Sequence, residues 1–218
     1  MDWTLIQEYL PALFSGLWIT VQVAVWGFAI AAFFGLPVAL ARLSPSGVLR
    51  VPASAWITVT RGLPLFVVLF WIYNGLAIKG VVTLSEFWSG AWALGLTGSG
   101  AMAEVYRGAL ASVEEGQREG ATATGLSRMQ AFRYVVFPQA FRTILPSAVN
   151  VFVGLLKGAT LVSVLGIRDM FYEARIVSLE RFAPFELYTA AGAILVVTTL
   201  AVAAGAYVLE RRFSRGYR

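Results

Sequence analysis

Four polar side chains stand in or beside long apolar stretches of this 218-residue chain, and their types and spacing are suited to holding a charged solute. Glu104 and Arg107 are three residues apart, so on a helix they share a face and can form a local ion pair. Asn150 and Lys157 are seven apart, two helical turns, and lie on nearly one face. A Lys ammonium turned to a central cavity could hold a carboxylate, and Glu104 turned the same way could hold an amine. An ionisable group inside an apolar span is a functional candidate by default. The chain has no His and no Cys. That excludes histidine general bases, thiolate nucleophiles, zinc fingers, His-ligated haem and disulfides. No catalytic residue and no metal ligand is assigned.

The elements that carry these residues follow from composition. The chain is 58% hydrophobic and 13% charged, far from the soluble average of about 45–50% apolar and 25% charged. Charge is missing from Tyr9 to Ala41, Gly62 to Ile78, Phe87 to Ala103, Thr143 to Leu156 and Leu187 to Leu209. A helix crosses a bilayer with about 17–25 mainly apolar residues, which predicts five membrane helices near 13–41, 57–79, 87–111, 140–166 and 185–209. The first follows acidic Asp2 and Glu8 rather than a basic leader, so it reads as a retained helix and not a secretory signal. The Lys/Arg bias sets the orientation. With the N-terminus outside, twelve basic residues fall on the cytoplasmic side: Arg42, Arg50, Arg61, Arg107, Arg118, Arg128, Arg133, Arg142, Arg211, Arg212, Arg215 and Arg218. Lys79, Arg168, Arg175 and Arg181 stay outside. The net charge of +5 is thus explained by topology, not by nucleic acid. Arg142 to Lys157 spans about 22 Å of helix in a core of about 30 Å, so Lys157 either lines a cavity or snorkels to the outer boundary.

The connection from 112 to 139 has a structure of its own. Val113 to Thr124 is rich in helix formers and ends at Gly125, suited to a left-handed C-terminal position. Ser127 followed by Gln130 is a capping box opening a second short helix. Met129, Phe132 and Val136 share one face, expected to pack on the bundle, and Pro138 is expected to stop the run. The small residues Gly98-Ser99-Gly100 fall inside a span, where they allow helices to approach closely. Ser44-Pro45-Ser46-Gly47 supplies a short turn between the first two helices.

Within that connection stands Glu119-Gly120-Ala121, three residues, Gly125, nine residues, Val135, one residue, Phe137-Pro138. This resembles the signature loop of membrane subunits of bacterial ABC importers, Glu-Ala-Ala, three residues, Gly, nine residues, Ile, one residue, Leu-Pro. Gly120, Val135 and Phe137 depart from that pattern. Arg61-Gly62-Leu63-Pro64-Leu65, Ala103-Glu104, Arg107-Gly108, Gly116-Gln117, Pro138-Gln139-Ala140-Phe141-Arg142, Leu145-Pro146, Leu155-Leu156-Lys157 and Leu209-Glu210-Arg211-Arg212 are similar to the polar amino acid branch. The chain is therefore identified as resembling a permease of the histidine, glutamine, arginine and glutamate importer group.

The resemblance implies an all-α integral membrane protein with a type I ABC importer permease-like fold. It would be one transmembrane domain over 1–218, with about five transmembrane helices and a cytoplasmic two-helix coupling loop. It implies a bacterial inner-membrane location and no enzymatic activity in this chain, with ATP and Mg bound by a partner ATPase dimer. Glu119, Gly120, Ala121, Gly125 and Pro138 would carry the coupling; Lys157, Asn150 and Glu104 would line the path. The other partners implied are a second permease subunit, the same or homologous, and a periplasmic or lipid-anchored solute-binding protein. Membrane lipid and a polar amino acid complete the set, with no nucleic acid. Where the family commonly has Asp-Thr-Ser-Leu or Ser-Thr-Ser-Leu after the Lys, this chain has Gly158-Ala159-Thr160-Leu161. That implies either a different amino acid or a partner subunit that supplies the pocket. A channel or secondary transporter would show charged rings or inverted repeats, and neither is present. A membrane enzyme would need acid–base groups that this chain lacks. No Lys-Ser/Thr phosphate loop occurs.

Overall fold

A computed structural model of the protein describes residues 3–215, with side chains for 3–208. The side chains of Glu210, Arg211, Arg212 and Arg215, and all of Asp2 and Arg218, lie outside the described residues. The described chain is helical: α1 Trp3–Leu43, α2 Gly47–Gly62 and α3 Leu65–Ile78, α4 Glu86–Ala111 and α5 Glu115–Ala123. Three more follow, α6 Arg128–Leu165, α7 Met170–Arg181 and α8 Pro184–Arg215.

Helices α1, α6 and α8 are each long and apolar enough to cross a membrane, and α2 with α3 passes as a broken pair. α4 is less apolar, yet its 26 residues reach about 39 Å. Its composition follows from its place: thirteen of those residues are buried, mostly Gly, Ala and Ser. A helix enclosed by protein needs small side chains for close packing more than it needs lipid-facing bulk. These five units correspond to the five expected spans, with one correction. The second span is not one helix over 57–79. It begins at Gly47 and bends by 100° at Leu63-Pro64. Leu63 is held extended (φ −75°, ψ 130°) because the ring of Pro64 crowds the helical conformation of the residue before it.

The core is built on α1. Its small residues Gly27, Ala31, Gly35 and Ala39 are buried, four apart, and face α4. Val23, Ala24 and Ala31 of α1 join Leu94 and Met102 of α4 and Leu155, Leu156 and Val162 of α6 in the main cluster. A second cluster unites Ile6 and Leu13 of α1 with Met170, Ala174 and Val177 of α7 and Leu187 and Ala191 of α8. The run Gly98-Ser99-Gly100 does what small residues in a span allow. A Cβ on Gly98 would lie 3.0 Å from that of Ala31, and Ser99 accepts a 2.9 Å hydrogen bond from the Trp56 indole.

Candidate functional site

Three helices converge on one cavity of about 320 Å³. Arg61 and Leu63 border it at the break after α2, Thr97 and Ala101 on α4, and Val151 and Gly154 on α6. The expected path residues bracket this space. Glu104 continues the Thr97–Ala101 face one turn along α4. Asn150 and Lys157 lie one turn to either side of Gly154 on α6, and all three are exposed in this subunit. Glu104 takes two hydrogen bonds on one carboxylate oxygen from Arg107, at 3.0 and 2.7 Å, the local pair its spacing predicts. Arg61, one of the topological charges, also borders the cavity while remaining exposed. Its signal was the Arg-Gly-Leu-Pro order, because a break at Leu63-Pro64 ends the helix beside it.

The departure at Gly158-Ala159 has a steric reason. A Cβ on Gly158 would sit 2.9 Å from Leu65 Cδ2 and 3.1 Å from Leu94 Cδ2, and Ala159 is fully buried. Both positions therefore point into packed core, away from the Asn150–Gly154–Lys157 face.

The 112–139 connection forms the expected hairpin at one end of the bundle. α5 ends in a Schellman motif: Leu126 N–H donates to Ala121 C=O and Gly125 N–H to Thr122 C=O. Gly125 has φ +86°. The Ser127–Gln130 capping box is complete in both directions. Arg118 ties α5 to the bundle by donating to Leu110 C=O. Of α5, only Ala121 is buried; Glu119 and Gly120 are exposed.

Pro138, however, does not stop the second arm. The helix runs from Arg128 to Leu165 without interruption, through a widened π turn at Phe132–Val136. Pro138 then occupies the second residue of the α-helical stretch, where its missing N–H is tolerated. A second correction concerns the packing face. Val136 is buried with Ala109, Leu110, Val113 and Ala140, whereas Met129 is 73% exposed. Phe132 borders a cavity of about 600 Å³ between the hairpin and the bundle, with Leu40, Leu110, Glu119 and Arg128.

At the opposite end the 166–169 connection presents a group that periodicity could not reveal. Asp169 caps α7, its Oδ1 accepting from Tyr172 N–H at 2.8 Å. It is 1% exposed, and its other oxygen has no hydrogen-bond partner. Burial pushes its carboxyl up to about 7. Because the folded value exceeds the unfolded one, the folded state binds the extra proton at mildly acid pH. The resulting stabilisation is complete below about pH 4 and fades as pH rises through 7. Asp169→Asn keeps a competent cap, so it is expected to raise Tm at pH 8 and to flatten the fall between pH 5 and 8. Thermal unfolding in detergent at both pH values checks this.

The comparisons agree with this architecture. The family described as binding-protein-dependent transport system inner membrane component matches residues 31–215. Probable amino-acid permease protein YxeN of Bacillus subtilis is 31% identical over 220 residues, 100% of this chain and 98% of that protein. Octopine transport system permease protein OccQ of Rhizobium radiobacter is 33% identical over 208 residues, 90% of this chain and 88% of that one. A crystal structure of an amino acid ABC transporter with histidines has a chain 35% identical, with a TM-score of 0.89 over 97% of this chain and 99% of that one. The inward-facing MetNI methionine ABC transporter, at 19% identity and a TM-score of 0.81, shares the fold over 98% of this chain and 99% of that one. With the family model matching residues 31–215 and relatives above 30% identity covered almost throughout, the chain belongs to the family of binding-protein-dependent transport system inner membrane components.

Proposed function

We propose that this chain is the permease subunit of an ATP-driven amino-acid importer, lining the substrate path and docking a separate ATPase through α5. The observation that carries this reading is the state of α5: a helix fixed at its end by a Schellman turn, yet burying only Ala121. Glu119 forms no side-chain hydrogen bond or ion pair among the described residues, which leaves its carboxylate for a partner. The continuous α6 supplies the lever. One helix carries the hairpin's second arm and, 29 residues or about 44 Å further on, Lys157.

In this reading ATP and Mg are bound by the ATPase dimer, whose closure moves α5 and α6. A second permease subunit, the same or homologous, covers the exposed Asn150–Gly154–Lys157 face. A solute-binding protein, periplasmic or lipid-anchored, delivers the amino acid at the opposite end. The N-terminus lies outside a bacterial inner membrane and the hairpin and C-terminus inside, as the Lys/Arg bias requires. Lys157 holds the substrate carboxylate.

The test is ATP hydrolysis in liposomes by the subunit assembled with its ATPase and binding protein, across a panel of amino acids. Several-fold stimulation by one or a few supports the reading. Failure of any ATPase to assemble overturns it.

A further inference from the structure

We propose that the elbow between α7 and α8 is a lipid-binding anchor that seats the Phe182 ring in the bilayer leaflet opposite the hairpin. Two independent observations meet at this residue. The first is its backbone. Phe182 has φ +52° and ψ +35°, and its N–H and that of Ala183 both donate to Ser178 C=O. The other left-handed positions among the described residues, Gly80, Gly125 and Gly166, are all glycine, the residue this conformation favours. A phenylalanine there is strained, and such residues persist where their surroundings compensate. The second observation is exposure. The ring is 92% exposed, so this subunit supplies almost none of that compensation.

What covers the ring follows from its neighbours. Leu179 and Phe185, three residues to either side, are exposed as well, which makes an apolar tip rather than a lone side chain. Arg181, the residue before it, is engaged by Glu8 and Tyr9 of α1, so the adjacent cation is satisfied within the subunit. Phe185 also opens a stripe. At 3.6 residues per turn, Val196, Leu200 and Tyr207 fall within about 60° of it around α8, and all three are exposed. Leu187, Ala190 and Ala191, on the other side of α8, are buried. The elbow is therefore continuous with the outward face of a helix long and apolar enough to cross a membrane. Its height agrees. The charge-free run from Leu187 to Leu209 measures about 33 Å against a core of about 30 Å, which puts Phe185 at the boundary layer and Phe182 beside it. A bilayer covers the ring at all times, as a permanent strain requires, whereas a protein that comes and goes would leave it in water.

The test is site-directed spin labelling, which the absence of Cys from this chain makes specific. Cysteines replace Leu179 and Phe182 one at a time, with Val196→Cys as a reference on the stripe. The chain is labelled, assembled into the complete importer and reconstituted in vesicles of phosphatidylethanolamine and phosphatidylglycerol. Collision with oxygen, which concentrates in lipid, and with a water-soluble nickel chelate is measured with and without the binding protein. Readings on the subunit alone in the same vesicles keep the outcome separate from the importer reading. The expected result is oxygen access several-fold above nickel access at both elbow positions, as at Val196, and unchanged by the binding protein. With the label at Leu179, Phe182→Glu should reverse that ratio and Phe182→Leu should keep it. Nickel access above oxygen access at both elbow labels places them in water and overturns the anchor. Shielding from both reagents marks a protein contact and equally overturns it: a second permease subunit if permanent, the binding protein if it appears only on its addition. A Leu179 label that stays in lipid in Phe182→Glu overturns the role of the ring.

Discussion

Gly125→Val is expected to weaken productive docking of the ATPase strongly while leaving the membrane bundle folded. Gly125 sits at φ +86°, and nothing lies within 4 Å of the Cβ a side chain would add. The effect therefore acts through the backbone alone. A β-branched residue in the left-handed region costs about 1–2 kcal/mol, a five- to thirtyfold loss in the population of the native turn. What depends on the turn is the direction of α5, because the Leu126 and Gly125 N–H groups close its last carbonyls only in that conformation. Gly125→Asn is the control, since Asn tolerates left-handed backbone and should retain most of the assembly. Co-purification of the ATPase and stimulated hydrolysis are the readouts, with Tm of the isolated subunit expected to move little. Normal assembly in the Val variant would mean that α5 is not the docking element.

The hairpin was legible because its signals are local. A glycine after a run of helix formers and a Ser–Gln pair three residues apart each fix a backbone geometry within one turn. The spans were legible for a similar reason, as each charge-free run is long compared with a bilayer. What escaped the sequence is what depends on neighbours. Pro64 and Pro138 carry the same chemical instruction, yet Pro64 breaks its span by 100° and Pro138 is absorbed into a helix of 38 residues. The difference lies in what precedes them. Leu63 is extended, whereas a π turn before Pro138 shifts the carbonyls so that no helical bond is demanded of its nitrogen. The place of Arg61 at the cavity's edge is set by how α2 packs on α4, which is tertiary. Asp169 was overlooked because nothing in the residues around it marks a carboxyl held beneath the packing of α7 on α1. Lys157, by contrast, stands out as a candidate from type and spacing alone, since an ammonium inside an apolar run is conspicuous in any fold.

Gly35→Leu is expected to destabilise the membrane bundle strongly. A Cβ there would lie 2.8 Å from Met102 Cβ and 3.0 Å from both Ala103 N and Ser99 O. Two of those neighbours are backbone, so α4 as a whole would have to shift. Overpacking costs about 1–3 kcal/mol, and leucine, with three further carbons, belongs at the upper end. In a chain of this size about 3 kcal/mol is a fall in Tm of roughly 6–12 °C; Gly35→Ala should show a fraction of it. Solvent offers little compensation, because helices in lipid are held by close contact rather than by the hydrophobic effect. The displaced helix carries Thr97, Ala101 and Glu104, so stability and transport should fall together. In the Gly125 variant transport alone falls. The two positions share no contact, so combining the variants should add their effects within about 0.5 kcal/mol. A Gly35→Leu protein with unchanged Tm would show that the α1–α4 seam has slack that the contact distances do not suggest.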